Sequence, residues 1–528
     1  MNSRSPTDDV EGGVSIDALR ALLQAKTRRP VERVETHISW VLLDGEHAWK
    51  LKKPVTLGFL DFARLDTRRA CCEAELRLNR RLAPELYLDV VALRGERDAP
   101  RFDGDGAPIE YAVRMRQFAP GALFSERLAD GTLDAETVER FGARLAAFHR
   151  EAASAGLGDA WGGTERVCSD TARALDGIAA AAPSSSPWVA AVRARFEAHE
   201  RRLRPVFDAR KRQGWVREGH GDLHLANVVV LDAQVTAFDC IEFDPGLRWI
   251  DVQNDAGFLA MDLLAHERAD LAFAFLDAWL GELGDYGGLA VLRYYLAYRA
   301  VVRELVASIR RAQRAESTEP SRYARLATRL LDTQEPRLLI THGVSGSGKS
   351  FLARELLGRA GAIRIRSDLE RKRLHGLDPH SRSHSALDEG LYGADASQRT
   401  YARLLELAAI SLDAGWPTIV DATFLRAADR APFRRLAAER GVPFSILACR
   451  ADEPVLRARI EARLARGVDP SEADLRVLER QLARRDALHD DERASAIVVD
   501  TSQGALDVDD IAVAWRNARP VPRGAAPS

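Results

Sequence analysis

Two groups of residues, more than a hundred positions apart, are spaced for work on phosphate. The first runs His220-Gly221-Asp222-Leu223-His224-Leu225-Ala226-Asn227 and is followed by Phe238-Asp239. The second is Gly343-Val344-Ser345-Gly346-Ser347-Gly348-Lys349-Ser350. Phosphoryl transfer to a hydroxyl needs a carboxylate near the acceptor, a carboxylate on a metal ion, and positive charge or N–H groups on the phosphates. In the first group the Asp-x4-Asn spacing sets Asp222 at the acceptor and lets Asn227 reach a metal ion. Asp239 ends an apolar run, Val235-Thr236-Ala237-Phe238, where a metal-holding acid is expected, and Glu242 follows as a further contact to the metal or a support behind it. In the second group Gly343, Ser345, Gly346, Ser347 and Gly348 supply N–H groups that wrap a β-phosphate, while Lys349 pairs the β/γ oxygens and Ser350 ligates magnesium. Such loops belong to different folds. One site cannot use both.

The residues around the second group extend it. An apolar strand, Leu338-Leu339-Ile340-Thr341, precedes it and a helix from Phe351 follows, so a helix N-terminus faces the phosphates. A strand Ile363 to Arg366 leads into Ser367-Asp368, with Arg371 one helical turn on. Asp368 is placed to orient and deprotonate an acceptor hydroxyl, and Arg371 to hold an anionic acceptor or the moving phosphate. The plain alternative makes Asp368 the N-cap of a helix starting at Leu369. Thr418-Ile419-Val420-Asp421-Ala422-Thr423 is another apolar strand, ending in an acid that reaches the magnesium shell. Arg459, Arg463 and Arg466 share a helix face where an arginine lid over ATP is expected. In so Arg-rich a chain a solvated charge is the better reading for any one of the three.

These residues must be held by elements the pattern also shows. At 528 residues the chain exceeds one ordinary hydrophobic core. Two strand-like runs flank Asp44-Gly45, a hairpin signal, and Thr67 to Leu82 reads as an amphipathic helix. Lys50 and Lys52 point to one face of their strand by its two-residue period, and on an edge strand both would be solvated charges. Strands Leu86 to Leu93 and Glu110 to Phe118 follow, and helices dominate from Asp134. Asp251 and Asp255, four apart, would share one helix face, there to brace the catalytic loop or meet solvent. Beyond a junction near residues 320–336, five apolar strands alternate with helices, the pattern of a doubly wound parallel sheet. Residues 1–13 and 518–528 read as disordered tails.

The first half resembles the aminoglycoside phosphotransferase-like kinases through His220-Gly221-Asp222-x4-Asn227 and Phe238-Asp239. The resemblance implies an α+β bilobal, protein-kinase-like domain over residues 14–325, with Asp222 as catalytic base and Asn227 and Asp239 on magnesium. It also implies a lysine–carboxylate pair, Lys50 or Lys52 with Glu75, Glu73 being the weaker partner. Two departures stand out: no Gly-x-Gly-x-x-Gly precedes the lysines, leaving Thr36-His37-Ile38-Ser39 to cover the phosphates, and Cys240 replaces a glycine after Asp239. The second half resembles P-loop small-molecule and polynucleotide 5'-kinases of the gluconate/shikimate type. That implies an α/β P-loop domain over residues 336–518.

Composition narrows the partners. A net charge of −2 gives no basic surplus for nucleic acid, which speaks against a nucleic-acid 5'-end kinase. No apolar run approaches a membrane span. Five scattered cysteines show no metal or disulfide spacing, and together these features place the chain in the cytoplasm. The expectation is a tandem of two ATP- and Mg2+-dependent phosphotransferases acting on small hydroxylated acceptors, its oligomeric state open. Its rival is one kinase regulated by a nucleotide-sensing partner domain; retention of both Asp222 and Asp368 weighs against it, since ATP binding alone needs neither.

Overall fold

The computed structural model describes residues 13–57, 60–314, 321–332, 334–378, 394–466, 474–502 and 507–520. The expected tails therefore lie largely outside the described residues, as do most of the polar stretch Arg314 to Pro320 and the side chain of Arg466. Among the described residues no helix is long and apolar enough to cross a membrane.

By contacts the chain falls into two compact units. The first comprises the residues up to Leu133, Glu151–Arg166 and Lys211–Asp255; the second takes Asp134–Arg150, Val167–Arg210 and everything from Ala256. The grouping thus differs from a single division near 320–336, because most of the helices between Asp134 and Asp332 sort with the P-loop sheet.

The first unit carries β1 (Glu32–Glu35), β2 (Ser39–Leu43), β3 (His47–Lys52), the short pair β4 (Thr56–Leu57) and β5 (Leu60–Asp61), then β6 (Tyr87–Glu96), β7 (Ala99–Arg101) and β8 (Glu110–Arg116). The main sheet runs β1-β2-β3-β8-β6-β7. The β2–β3 hairpin forms where expected: Asp44 Oδ1 accepts from the amides of Glu46 and His47, and Gly45 takes the left-handed φ of 92° that closes the turn. Because β3 pairs with both β2 and β8, Lys50 and Lys52 are interior and not edge charges. The helix Leu65–Asn79 lies behind, burying Arg68, Cys72, Glu75 and Asn79 along one face. Aliphatic residues Leu19, Leu23, Leu42, Leu51 and Leu93 form one core and Tyr87, Val113, Val229 and Leu231 belong to another.

Four short strands complete this unit: β9 (Val216–Glu218), β10 (Val228–Leu231), β11 (Gln234–Ala237) and β12 (Trp249–Asp251). The β10–β11 hairpin separates Asn227 from Asp239. Asp251 corrects an expectation: it ends β12, paired with β9, and the helix Val252–Ala265 starts after it, so Asp251 and Asp255 do not share a helix face.

The second unit contains a five-stranded, all-parallel sheet: β13 (Leu338–His342), β14 (Ile363–Arg366), β15 (Thr418–Asp421), β16 (Phe444–Arg450) and β17 (Ala496–Asp500), in the order β14-β15-β13-β16-β17. Strand order reverses beside β13, and in open parallel sheets ligands bind at the strand C-termini of such a switch point. That is where the glycine loop lies. The helical segments of this unit pack on the same sheet: Trp416 Nε1 donates to the Leu289 carbonyl at 3.1 Å, and Arg354 pairs with Glu139 at 2.8 Å.

Candidate active sites

The first candidate site is a chain of buried charges. Glu75, fully buried, takes Lys50 on one carboxylate oxygen at 2.8 Å and Lys52 on the other at 2.5 Å. Lys50 also pairs with Asp239, and Lys52 with Glu242. The two-residue period of β3 thus delivers both lysines to one acid. Glu73 is outside the group, on the exposed side with Arg69. Glu242 is buried and paired with Lys52, which fits the support role of the two expected for it. Burial pushes the Glu75 carboxyl up, but two flanking ammonium groups outweigh it and bring its pKa to about 2. Glu242, with fewer compensating contacts, is instead raised by burial. Both lysines are raised: burial opposes their charge, and the surrounding carboxylates prevail.

The catalytic-type loop is built on Asp255, whose two oxygens accept from the amides of His220 and Gly221 at 2.7 and 2.8 Å. Gly221 has φ 86°, and a Cβ there would lie 2.6 Å from the Leu247 carbonyl. His220 Nε2 lies 2.9 Å from the Phe238 carbonyl, tying the loop to the segment that leads from β11 to Asp239. Asp222 is partly exposed, held by the Asn227 amide and 3.5 Å from His224 Nε2. Asp239 itself adopts the left-handed φ of 63°, with its amide donating to the Tyr87 hydroxyl at 3.1 Å. The turn therefore sits on Asp239, and Cys240 follows with its amide on Asn79 Oδ1, so no glycine is needed there. The β1–β2 turn at Thr36 to Ser39 is closed by the Thr36 hydroxyl and tied to Lys53. Tyr87, Asn79 and Asp255 act on this loop from distant segments; only Asp255 had a sequence signal.

The second candidate site lies at the end of β13. Gly343, at φ 146°, would place a Cβ 2.5 Å from the Cys449 carbonyl, so only glycine fits. Its amide donates to the Thr423 carbonyl at 3.1 Å, and Thr341 Oγ1 locks the same segment by bonds to Ala422. Asp421 is thereby set against the loop, where Ser350 Oγ donates to its Oδ1 at 3.1 Å. Lys349 is buried and donates to the Val344 carbonyl at 2.8 Å. Burial lowers its pKa, opposed by the charges of Asp421 and Asp368 and reinforced by Arg463, so these groups all bear on one ammonium.

Asp368 and Arg371 are 3.7 Å apart at the end of β14. The helix begins at Ser367 with Arg366 as its N-cap, so the capping alternative for Asp368 is corrected: it sits in the first turn. Arg459 Nη1 donates to the Gly346 carbonyl at 3.2 Å and to the Thr501 hydroxyl at 2.9 Å, bracing the loop backbone. Sequence spacing missed Gln481, whose Oε1 accepts from the Ser345 amide at 2.7 Å, and Arg364, which meets the Ser350 carbonyl at 3.2 Å.

Among the described residues no three His, Cys, Asp or Glu side chains gather for a metal. Each site instead offers one or two hard side-chain oxygens: the Asp239 carboxylate and Asn227 amide in one, the Ser350 hydroxyl and Asp421 carboxylate in the other. That donor set suits Mg2+, which is typically held by a few protein oxygens together with substrate phosphates.

A family described as an AAA domain matches residues 338–488, the segment that holds the glycine loop and β13 to β16, four of the five parallel strands. Among solved structures, a choline/ethanolamine kinase family protein from Mesorhizobium loti aligns at 15% identity over 60% of this chain and 95% of its own, with a TM-score of 0.33. A gluconokinase from Sinorhizobium meliloti aligns at 22% identity over 35% of this chain and 93% of its own, with a TM-score of 0.25. On the geometry set out above, one chain holds an α+β unit built on an antiparallel sheet and an α/β unit built on a parallel sheet with its glycine loop. Curated relatives include the uncharacterized proteins Rv2004c of Mycobacterium tuberculosis and Mb2027c of Mycobacterium bovis, each 31% identical over 433 residues. Since that match covers 81% of this chain and 85% of theirs, the chain belongs to the same family as these mycobacterial proteins.

Proposed function

We propose that the chain is a bifunctional ATP-dependent phosphotransferase, each half moving the γ-phosphate of ATP to a hydroxyl of a small-molecule acceptor. The observation that carries this reading is that each candidate site keeps an acid beyond those needed to hold nucleotide. In the first, Asp222 stands apart from the Lys50–Glu75–Asp239 chain. In the second, Asp368 stands with Arg371, apart from the Ser350–Asp421 pair.

In the first site Asp222 accepts the acceptor proton, and Lys50 pairs the ATP phosphates once it leaves Asp239; Lys52 holds Glu75 and Glu242 behind it. Asn227 and Asp239 would hold magnesium there. In the second, the amides from Gly343 to Gly348 and Lys349 hold the phosphates, and Ser350 and Asp421 would hold magnesium. Asp368 takes the acceptor proton there, Arg371 steadies the transferred group, and Arg463 adds positive charge near Lys349. The metal supplies charge neutralisation on the phosphates.

Incubating the chain with γ-labelled ATP, magnesium and a metabolite library tests this reading. Labelled products lost separately in Asp222→Asn and in Asp368→Asn are expected. Label appearing only as inorganic phosphate across the library would overturn it.

A further inference from the structure

The second site is braced by a residue outside the segment that matches the AAA domain. Arg364 lies on β14, its side chain only 6% exposed. It forks onto Asp277 of the helix Ala269–Leu283, with Nε 3.1 Å from Oδ1 and Nη2 2.6 Å from Oδ2. The remaining nitrogen, Nη1, donates to the Ser350 carbonyl at 3.2 Å and stands 3.7 Å from Asp421 Oδ2. One buried cation thus touches both residues assigned to magnesium and an acid 87 positions earlier in the chain. Burial works against the guanidinium charge and Asp277 is the first of the groups that restore it, so its pKa lies above the ordinary value.

A guanidinium beside a metal-holding carboxylate is a hazard, because it competes with the metal for that carboxylate and repels a dication. The bidentate pair with Asp277 answers both effects. It aims two of three nitrogens away from Asp421 and neutralises the charge felt at the metal position. The helix is packed closely in place: a Cβ on Gly358, in the helix Lys349–Ala360, would lie 2.4 Å from Asp270 Cα, and Arg373 donates to the Gly281 carbonyl at 2.6 Å.

We infer that Asp277 is a positioning residue for the magnesium–nucleotide site of the P-loop half, acting through Arg364, so that the helix Ala269–Leu283 is part of that site. This rests on the P-loop reading proposed above.

The test is a Mg2+ titration of ADP binding to the full-length chain, the signal removed by Lys349→Ala being assigned to the P-loop site. Asp277→Asn keeps the side-chain shape and should weaken Mg2+-dependent ADP binding by about tenfold while leaving metal-free binding within about twofold. The double variant Asp277→Asn/Arg364→Gln removes the released cation and should return the Mg2+ dependence to within about threefold of the parent. A bystander packing role would instead weaken metal-bound and metal-free binding together, without rescue, and that result overturns the inference. So does an unchanged Mg2+ dependence in Asp277→Asn. Should that variant fail to fold, hydrogen exchange on the unaltered chain decides: Mg2+-ADP should slow exchange over residues 272–282 where metal-free ADP does not, and no difference overturns it. If Lys349→Ala removes none of the ADP signal, the P-loop reading itself falls and the inference with it.

Discussion

The Asn227 amide nitrogen donates to both the carbonyl and the carboxylate of Asp222, at 2.9 and 3.1 Å. One side chain therefore fixes the acid assigned to the acceptor, and its Oδ1 is the atom proposed above for magnesium. The two roles meet in a five-residue interval.

That link separates two variants. Asp222→Asn should lower transfer by the first site about 10²–10⁴-fold, the usual worth of a general base, with ATP affinity nearly kept. Asp239→Asn should instead weaken metal-dependent ATP binding. Steady-state rates on an identified acceptor, set beside nucleotide binding, check both; near-normal turnover in Asp222→Asn would refute the roles.

Glu75 carries a pH signature. Its folded pKa of about 2 lies below the unfolded carboxylate value, so its stabilising effect is present at neutral pH and fades as pH falls through 4 towards 2. Glu75→Gln leaves two buried lysines short of a partner and should cost about 3–5 kcal/mol at pH 7. The gap in melting temperature between parent and variant should close below about pH 3. Glu242, raised by burial, pulls the wild-type acid limb the other way, so the difference between the two chains is the clean readout. A gap constant from pH 7 to pH 3 would contradict this.

In the second site, Lys349→Ala should weaken nucleotide binding and cut transfer by about 10²–10³-fold, as loss of one charge-stabilising donor does. Asp368→Asn should stop transfer but spare binding. Asp368 is not the helix cap, so its loss should shift stability by no more than about 1 kcal/mol, the scale of a first-turn charge on the helix dipole. Melting temperature and transfer rate on one sample decide. A clearly lowered melting point with normal transfer would sink the catalytic assignment.

Gly343→Ala should abolish nucleotide binding at the second site while leaving the first intact. A Cβ there would meet Cys449 O at 2.5 Å and Ser347 Oγ at 2.6 Å, so the loop must move. Retained binding with unaltered affinity would show the loop to be softer than its packing implies.

What was readable in the chain depended on range. The five strands of the parallel sheet announce themselves because each is a short apolar run, and the Asp44-Gly45 hairpin because the turn chemistry is local. β1 did not: Glu32-Arg33-Val34-Glu35 is exposed throughout and has no alternation. β12 is only three residues long, too short for a period, which is why Asp251 was expected on a helix. Lys50 and Lys52 were legible as one face of a strand, but their shared partner was not, since Glu75 is more than twenty residues away. Gln481 reaches the Ser345 amide across 136 residues and Asp277 reaches Arg364 across 87, separations at which no spacing rule applies. Arg459 shows the reverse: its helical position was visible, yet Thr501, which holds it, lies 42 residues on.

The most direct measurement is the number of nucleotides bound per chain, by equilibrium dialysis with Mg2+ and a non-hydrolysable ATP analogue. Two are expected for the parent, one for Lys349→Ala, one for Asp239→Asn, and none when both are changed. A parent chain that saturates with one, or a Lys349→Ala chain that still binds two, would contradict two separate nucleotide sites.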